Sequence, residues 1–226
     1  MPAILPHRSP AVATYPGGPP RATASTACTE TSYGENEVIH QVAREVATLD
    51  RLSAGRVTLG VGIGDDGAGE LSATGEQLDP RVRGQMLDES LQVLAAAWSG
   101  ERVHHRGTHY VLDGLALRPA PAQLPHPPVW VAARYGNPAP MRRAARHDGV
   151  FPIGLDDADQ LREVRTAIDA ARDPGAGAFD VAVGGRPGGD PRPYEATGAT
   201  WWMVSFSPYD VSVRAVDAVA RGGPPR

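Results

Sequence analysis

The apolar and polar positions of this chain alternate between two periods. Over residues 37–52, Val38, Ile39, Val42, Val46, Leu49 and Leu52 recur at helical spacing, with Asn36 as cap and Ser53-Ala54-Gly55 as stop. Residues 56–61 read as a strand that runs into Gly62-Ile63-Gly64-Asp65-Asp66-Gly67 and a long loop. Asp79-Pro80 opens a second helix, because Asp caps the free N–H groups and Pro costs nothing at the first helical position. Its apolar face is Val82, Met86, Leu87, Leu91, Leu94 and Trp98. Residues 100–128, rich in Pro and His, predict an irregular excursion with a short hairpin near His109-Tyr110-Val111.

Beyond them lies the stretch around which the chain is organised. Val129-Trp130-Val131-Ala132 reads as a strand, Arg134-Tyr135-Gly136-Asn137 as a turn, and Asn137-Pro138 as a capped helix start. That helix ends near Asp148-Gly149, and Val150 to Ile153 is the next strand. A turn and helix start at the carboxyl end of a strand gather backbone N–H groups and the positive end of the helix dipole, so the turn suits an anion such as a cofactor phosphate. Next is a helix capped at Asp156, with Leu161, Val164, Ile168 and Ala171 on one face. Then come a strand over 179–184, a Gly/Pro loop over 185–193, a strand over 200–205, and a helix from Ser207-Pro208 to Gly222. Helices alternating with strands predict a parallel α/β sheet, closed as a βα barrel or open and doubly wound. Residues 1–35, rich in Pro, Ala, Thr and Gly, show neither period and are expected to be disordered or irregular, with the folded domain over 36–226.

Composition narrows the chemistry. The formal net charge is −4 with no dense basic run, which disfavours nucleic acid as a partner. The chain contains no Lys, so a Schiff-base or P-loop lysine is excluded. A single cysteine, Cys28, allows no internal disulfide and fits a reducing compartment. No apolar stretch reaches membrane-spanning length and none forms a signal peptide, so a cytoplasmic protein is expected.

Among the motifs, Gly62 to Gly67 matches G-x-G-x-x-G. A dinucleotide fingerprint should open directly into a helix, whereas two aspartates occupy this loop and no apolar helix begins before Asp79. The loop is instead a glycine-relaxed strand end, with Gly64 and Asp65 as candidate pocket residues. His104, His105 and His109 lack the further ligands a metal site needs, so no metal is assigned. Trp201-Trp202 is read as packing, one ring to each face of its strand.

Several segments, in order, resemble the luciferase-like monooxygenases, the flavin- or deazaflavin-dependent oxidoreductases of bacterial-luciferase type. They are Ala43 to Ser53 with Gly55-Arg56; Leu59-Gly60-Val61-Gly62-Ile63-Gly64; Arg83 to Glu89 through Trp98-Ser99-Gly100-Glu101; Gly107-Thr108-His109-Tyr110; Pro128 to Ala132; Arg142 to Gly149; and Gly198 to Trp202. The resemblance implies a TIM-type (β/α)8 barrel, here incomplete and lacking about the first three strands, with its site at the carboxyl ends of the strands. It implies FMN or coenzyme F420 as cofactor, a small organic substrate and, for a monooxygenase, O2. The family's phosphate-binding turn falls on Arg134, Tyr135, Gly136, Asn137, Pro138 and Ala139. Arg134 would pair with phosphate oxygens, and the N–H groups near Asn137 and Ala139 would donate. The family's helix between 184 and 200 is replaced by a short Gly/Pro-rich segment. No side chain is assigned a catalytic role. The alternative is a truncated, inactive barrel, or a subunit that a homodimer or partner chain completes.

Overall fold

The computed structural model describes residues 11–14, 23–25, 35–207 and 211–222, with side chains from Ile39 onward. The chain divides into two compact units, Ala22–Val131 and the pair of segments Met1–Arg21 and Ala132–Arg226.

In the first unit, strand β2 (Thr23–Ser25) pairs parallel with β3 (Thr58–Val61), and β3 pairs parallel with the opening residues of β6 (Val129–Arg134), Leu59 facing Val129. Helix α1 (Glu35–Leu52) joins β2 to β3, and α3 (Pro80–Trp98) comes after the short helix α2 (Glu70–Thr74). The predicted helix start holds, since Asp79 accepts from the Arg81 N–H at 2.8 Å. The Trp98 indole N–H donates to the Ala43 carbonyl at 3.0 Å and ties α3 to α1. The predicted hairpin is longer than expected, with β4 (Arg102–Arg106) antiparallel to β5 (Val111–Ala116).

The buried stripe of α1 departs from the sequence reading. It runs Ile39, Ala43, Val46, Ala47 and Asp50, whereas Leu49 and Leu52 are 46% and 79% exposed. Asp50 is 0% exposed. Its carboxylate accepts from the Ala122 N–H (2.7 Å), the Gln123 N–H (2.9 Å) and the Gln123 side-chain amide (2.7 Å). That amide also donates to the Val57 carbonyl at 2.7 Å. A carboxylate tolerates burial when hydrogen bonds replace its hydration, and these contacts rotate the inward face of the helix by one polar position.

A second carboxylate organises the hairpin. Glu89 on α3 accepts from the backbone N–H groups of Thr108, His109 and Tyr110 at 2.9–3.1 Å, and pairs with His105 Nε2 at 2.9 Å. A Cβ on Gly107 would overlap the Glu89 carboxylate, so the turn approaches α3 only with glycine there.

In the second unit the strand order is β6, β7 (Gly149–Ile153), β8 (Asp180–Gly185), β9 (Trp201–Ser205) and β1 (Ala11–Thr14). Strands β7, β8 and β9 pair parallel, whereas β1 runs antiparallel along β9, with Ala11 facing Ser205 and Thr14 facing Trp202. Helix α4 (Pro138–Ala144) joins β6 to β7, and α5 (Ala158–Asp169) joins β7 to β8. The cap of α5 is Asp157, one residue beyond the expected Asp156. Asp157 accepts from the Gln160 N–H at 2.9 Å, and the Gln160 side chain accepts in return from the Asp156 N–H at 2.7 Å. A four-residue helix, α6 (Arg192–Glu195), interrupts the Gly/Pro loop before β9. The last helix, α7 (Val213–Gly222), starts later than expected and buries no residue. Trp201 and Trp202 are both buried on successive strand positions. Trp202 packs on Tyr194 with ring centroids 5.6 Å apart, and a Cβ on Gly185 would overlap its indole.

Two findings correct the reading of the long irregular stretches. Strands β1 and β2 lie within residues 1–35, where no strand was expected. Each is three or four residues long and formed by pairing with β9 or β3, so no local period announces it. Cys28 and the rest of that segment lie outside the described residues. Likewise α2 occupies part of the loop after β3; at five residues it is too short to show a helical period. Among the described residues no helix is long and apolar enough to cross a membrane. The chain is therefore α/β, an incomplete (β/α)8 barrel whose described strands fall short of a closed set.

Candidate functional site

The turn between β6 and α4 is built as its residues predict. The Asn137 N–H donates to the Arg134 carbonyl at 3.1 Å, closing the turn, and Asn137 Oδ1 accepts from the Ala139 N–H at 3.1 Å, capping α4. Both amides expected to face an anion therefore donate within the chain. Pro138 has no N–H, and the Tyr135 N–H donates to the Ile153 carbonyl at 2.9 Å. The Tyr135 hydroxyl donates to Glu163 at 2.6 Å, and this bond, with burial and the nearby charges of Glu163, Asp157 and Asp156, pushes the phenol pKa up. Gly136 has φ +78° and no atom within 4 Å of where a Cβ would stand, so the outer face of the turn is open. The Arg134 guanidinium passes the end of β7, with Nη1 3.9 Å from where a Cβ on Gly154 would lie. This turn thus sets the Arg134 cation beside an unobstructed glycine. It does not offer the row of free amides that the sequence suggested.

The loop after β3, in the other unit, also leaves its glycine open: Gly64 has φ +67° with nothing within 4 Å of a Cβ. Asp65 closes a tight turn, its Oδ1 accepting from the Gly67 N–H at 2.7 Å. Asp66 accepts from the Ser72 N–H at 3.0 Å, and that bond is the main reason its carboxyl is held below the usual range. The helix after these glycines is the five-residue α2, so no long helix presents its N-terminus to a pyrophosphate here.

The three histidines of the hairpin have two partners between them, and His109 uses only its backbone N–H. His104 pairs with Asp113 at 2.8 Å at the surface, His105 pairs with Glu89, and the His109 N–H donates to Glu89. Among the described residues no group of three or more His, Cys, Asp or Glu could hold a metal ion. Sequence reasoning missed Asp50 and Glu89. Both stand on helices at positions where the apolar period calls for a hydrophobic residue or a neutral neighbour, and that interruption was the available signal.

Residues 40–219 match the family described as luciferase-like monooxygenase. Phthiodiolone/phenolphthiodiolone dimycocerosates ketoreductase of Mycobacterium kansasii is 34% identical over 140 residues, 58% of this chain and 36% of that protein. Among solved structures, the monooxygenase RslO1 from Streptomyces bottropensis is similar at 25% identity and a TM-score of 0.55, over 72% of this chain and 49% of that one. An F420-dependent secondary alcohol dehydrogenase, solved with an F420–acetone adduct, shares the fold at 24% identity and a TM-score of 0.56, over 70% of this chain and 46% of that one. The chain spans about a third of the length of the curated relatives it matches. With four-fifths of its length inside the family match, and with the βα units in the family's order, the chain belongs to the luciferase-like monooxygenase family.

Proposed function

We propose that this chain is a flavin- or F420-dependent oxidoreductase acting on a small organic substrate, with FMN or coenzyme F420 bound through its phosphate at residues 134–139. The observation that carries the reading is the family match combined with an open, cationic turn at the carboxyl end of β6. The residues present fit a phosphate, because a guanidinium pairs well with phosphate oxygens and Gly136 lets an anion approach the backbone. When bound, the cofactor supplies the redox chemistry, hydride or oxygen transfer. Arg134 holds the phosphate charge, Asn137 fixes the turn by bonding at both ends, and Glu163 fixes Tyr135.

Fluorescence titration with FMN and with F420 tests this directly. Binding of one of them is expected, and Arg134→Ala should weaken it on the order of tenfold or more, the loss of a charge-assisted hydrogen bond. No binding of either cofactor at high micromolar concentration would sink the reading. Gly64 and Asp65 are proposed on the substrate side. Asp65→Ala is expected to change turnover while leaving cofactor affinity alone, and unchanged kinetics would remove Asp65 from the site.

A second reading is favoured by the short count of parallel strands among the described residues. Here the chain becomes active only when a second copy or another polypeptide completes the barrel. Light scattering combined with a turnover assay separates the two readings: an active monomer excludes the second.

A further inference from the structure

Strands β7, β8 and β9 end on a shared open face. The register pairs Val150 with Val181 and Gly184 with Met203. Positions alternate along a strand, so Phe151, Gly184 and Ser205 lie on one face and Pro152, Val183 and Val204 on the other. The second set is buried, whereas Gly184 and Ser205 are exposed and Phe151 is half-buried. A Cβ built on Gly184 would stand 3.3 Å from Ser205 Oγ and 3.6 Å from Phe151 Cζ. A hydroxyl and the edge of an aromatic ring thus flank one bare stretch of backbone.

Packing within the chain does not account for this glycine. Its neighbour Gly185 is fixed by the Trp202 indole, which a Cβ there would overlap. Gly184 has no positive φ, and the atom nearest its Cβ position is a hydroxyl that rotates aside. Glycine weakens a strand, and where the backbone does not require it the position suits something that approaches the chain closely. Arg134 belongs to the same unit, and its guanidinium reaches the end of β7 at Gly154. One strand spacing, roughly 5 Å, separates β7 from β8.

We propose that Phe151, Gly184 and Ser205 seat the flat ring of the flavin or deazaflavin. Gly184 lies beneath the ring, the Phe151 edge meets it, and Ser205 Oγ hydrogen-bonds a heteroatom on its polar rim. This rests on the proposed function, which places the cofactor phosphate on residues 134–139. It adds that the ring seat needs no residue from a completing chain.

The test uses the full chain and two probes that carry the ring without phosphate, riboflavin and 5-deazariboflavin, beside FMN and F420. In the 15N-labelled wild type, saturable ring-current shifts of the Gly184 and Ser205 amides are expected with at least one of the four. Fluorescence titration then compares variants. Gly184→Val fills the slot and should weaken phosphorylated and unphosphorylated ligands alike, on the order of tenfold. Arg134→Ala should weaken only the phosphorylated ones. Ser205→Ala, an exposed change, should weaken both kinds roughly fivefold and replaces Gly184→Val if that variant does not fold. Two results overturn the ring seat while the phosphate turn stands: cofactor binding without shifts at Gly184 and Ser205, or a folded Gly184→Val that binds as tightly as wild type. If riboflavin shifts these amides and FMN binds no more tightly than riboflavin, the ring seat stands and the phosphate turn falls. If none of the four ligands binds, both fall.

Discussion

Asp50→Ala is expected to cost the folded chain about 4 kcal/mol, a large share of the stability of an ordinary domain. The wild-type carboxylate is fully buried and takes hydrogen bonds from two backbone N–H groups and one side-chain amide. Alanine removes all of these bonds and leaves the Ala122 and Gln123 donors without their acceptor, beside a void where the carboxylate stood. The same change releases the loop that leads into β6, because Gln123 bridges Asp50 to the Val57 carbonyl. Asp50→Asn should lie in between, since one amide oxygen can still accept while its NH2 group faces other donors. Gln123→Ala should cost less than either, as the backbone amides keep the carboxylate as their acceptor. Urea unfolding monitored by circular dichroism gives the order. An Asp50→Ala variant within about 1 kcal/mol of wild type would show that the buried carboxylate is not what holds this loop.

The second large effect is a pH dependence centred on Glu89. Burial alone would raise its pKa, but the hydrogen bond with His105 and those from the His109 and Tyr110 N–H groups outweigh burial and hold the carboxyl at about 2, against 4.5 in the free side chain. A group lowered on folding contributes stability that is present above its unfolded pKa and is lost as pH falls through the folded one. The affected window therefore lies between pH 4.5 and about 2. Across it the wild type is expected to lose roughly 3 kcal/mol, at about 1.4 kcal/mol for each tenfold change in acidity constant. Glu89→Gln keeps the shape but cannot ionise, so it should be less stable at neutral pH and should lack this acid-dependent loss. Parallel pH-dependent unfolding curves for the two proteins would refute the assignment.

Much of the fold could be read from local chemistry. Asp79-Pro80 and Asn137-Pro138 start α3 and α4 as capping predicts, and Met86, Leu87, Leu91, Leu94 and Trp98 bury the face that their spacing marks. The features that were not legible depend on partners distant in sequence. Strands β1 and β2 exist through ladders with β9 and β3, and neither Ala11-Val12-Ala13-Thr14 nor Thr23-Ala24-Ser25 is long enough to show a period. The inward turn of Asp50 is set by donors about seventy residues away, so helical periodicity chose Leu49 and Leu52 instead. At the β6–α4 turn the residue types pointed to an anion, but which amides remain available depends on the turn and cap bonds, and only the folded geometry shows that Asn137 and Ala139 spend theirs internally.

The antiparallel run of β1 along β9 has a consequence for how the chain behaves in concentrated solution. Thr200 to Phe206 carries no charge and no proline, and its Trp, Met, Val and Phe side chains are buried, the composition of segments that stack into cross-β fibrils when an edge is left bare. Ala11–Thr14 occupies that edge through four facing pairs, Ala11 with Ser205 to Thr14 with Trp202. A strand so short adds little to folding free energy, yet it denies an aggregation-prone stretch of the protein to other molecules. Its value to the protein is therefore colloidal more than thermodynamic.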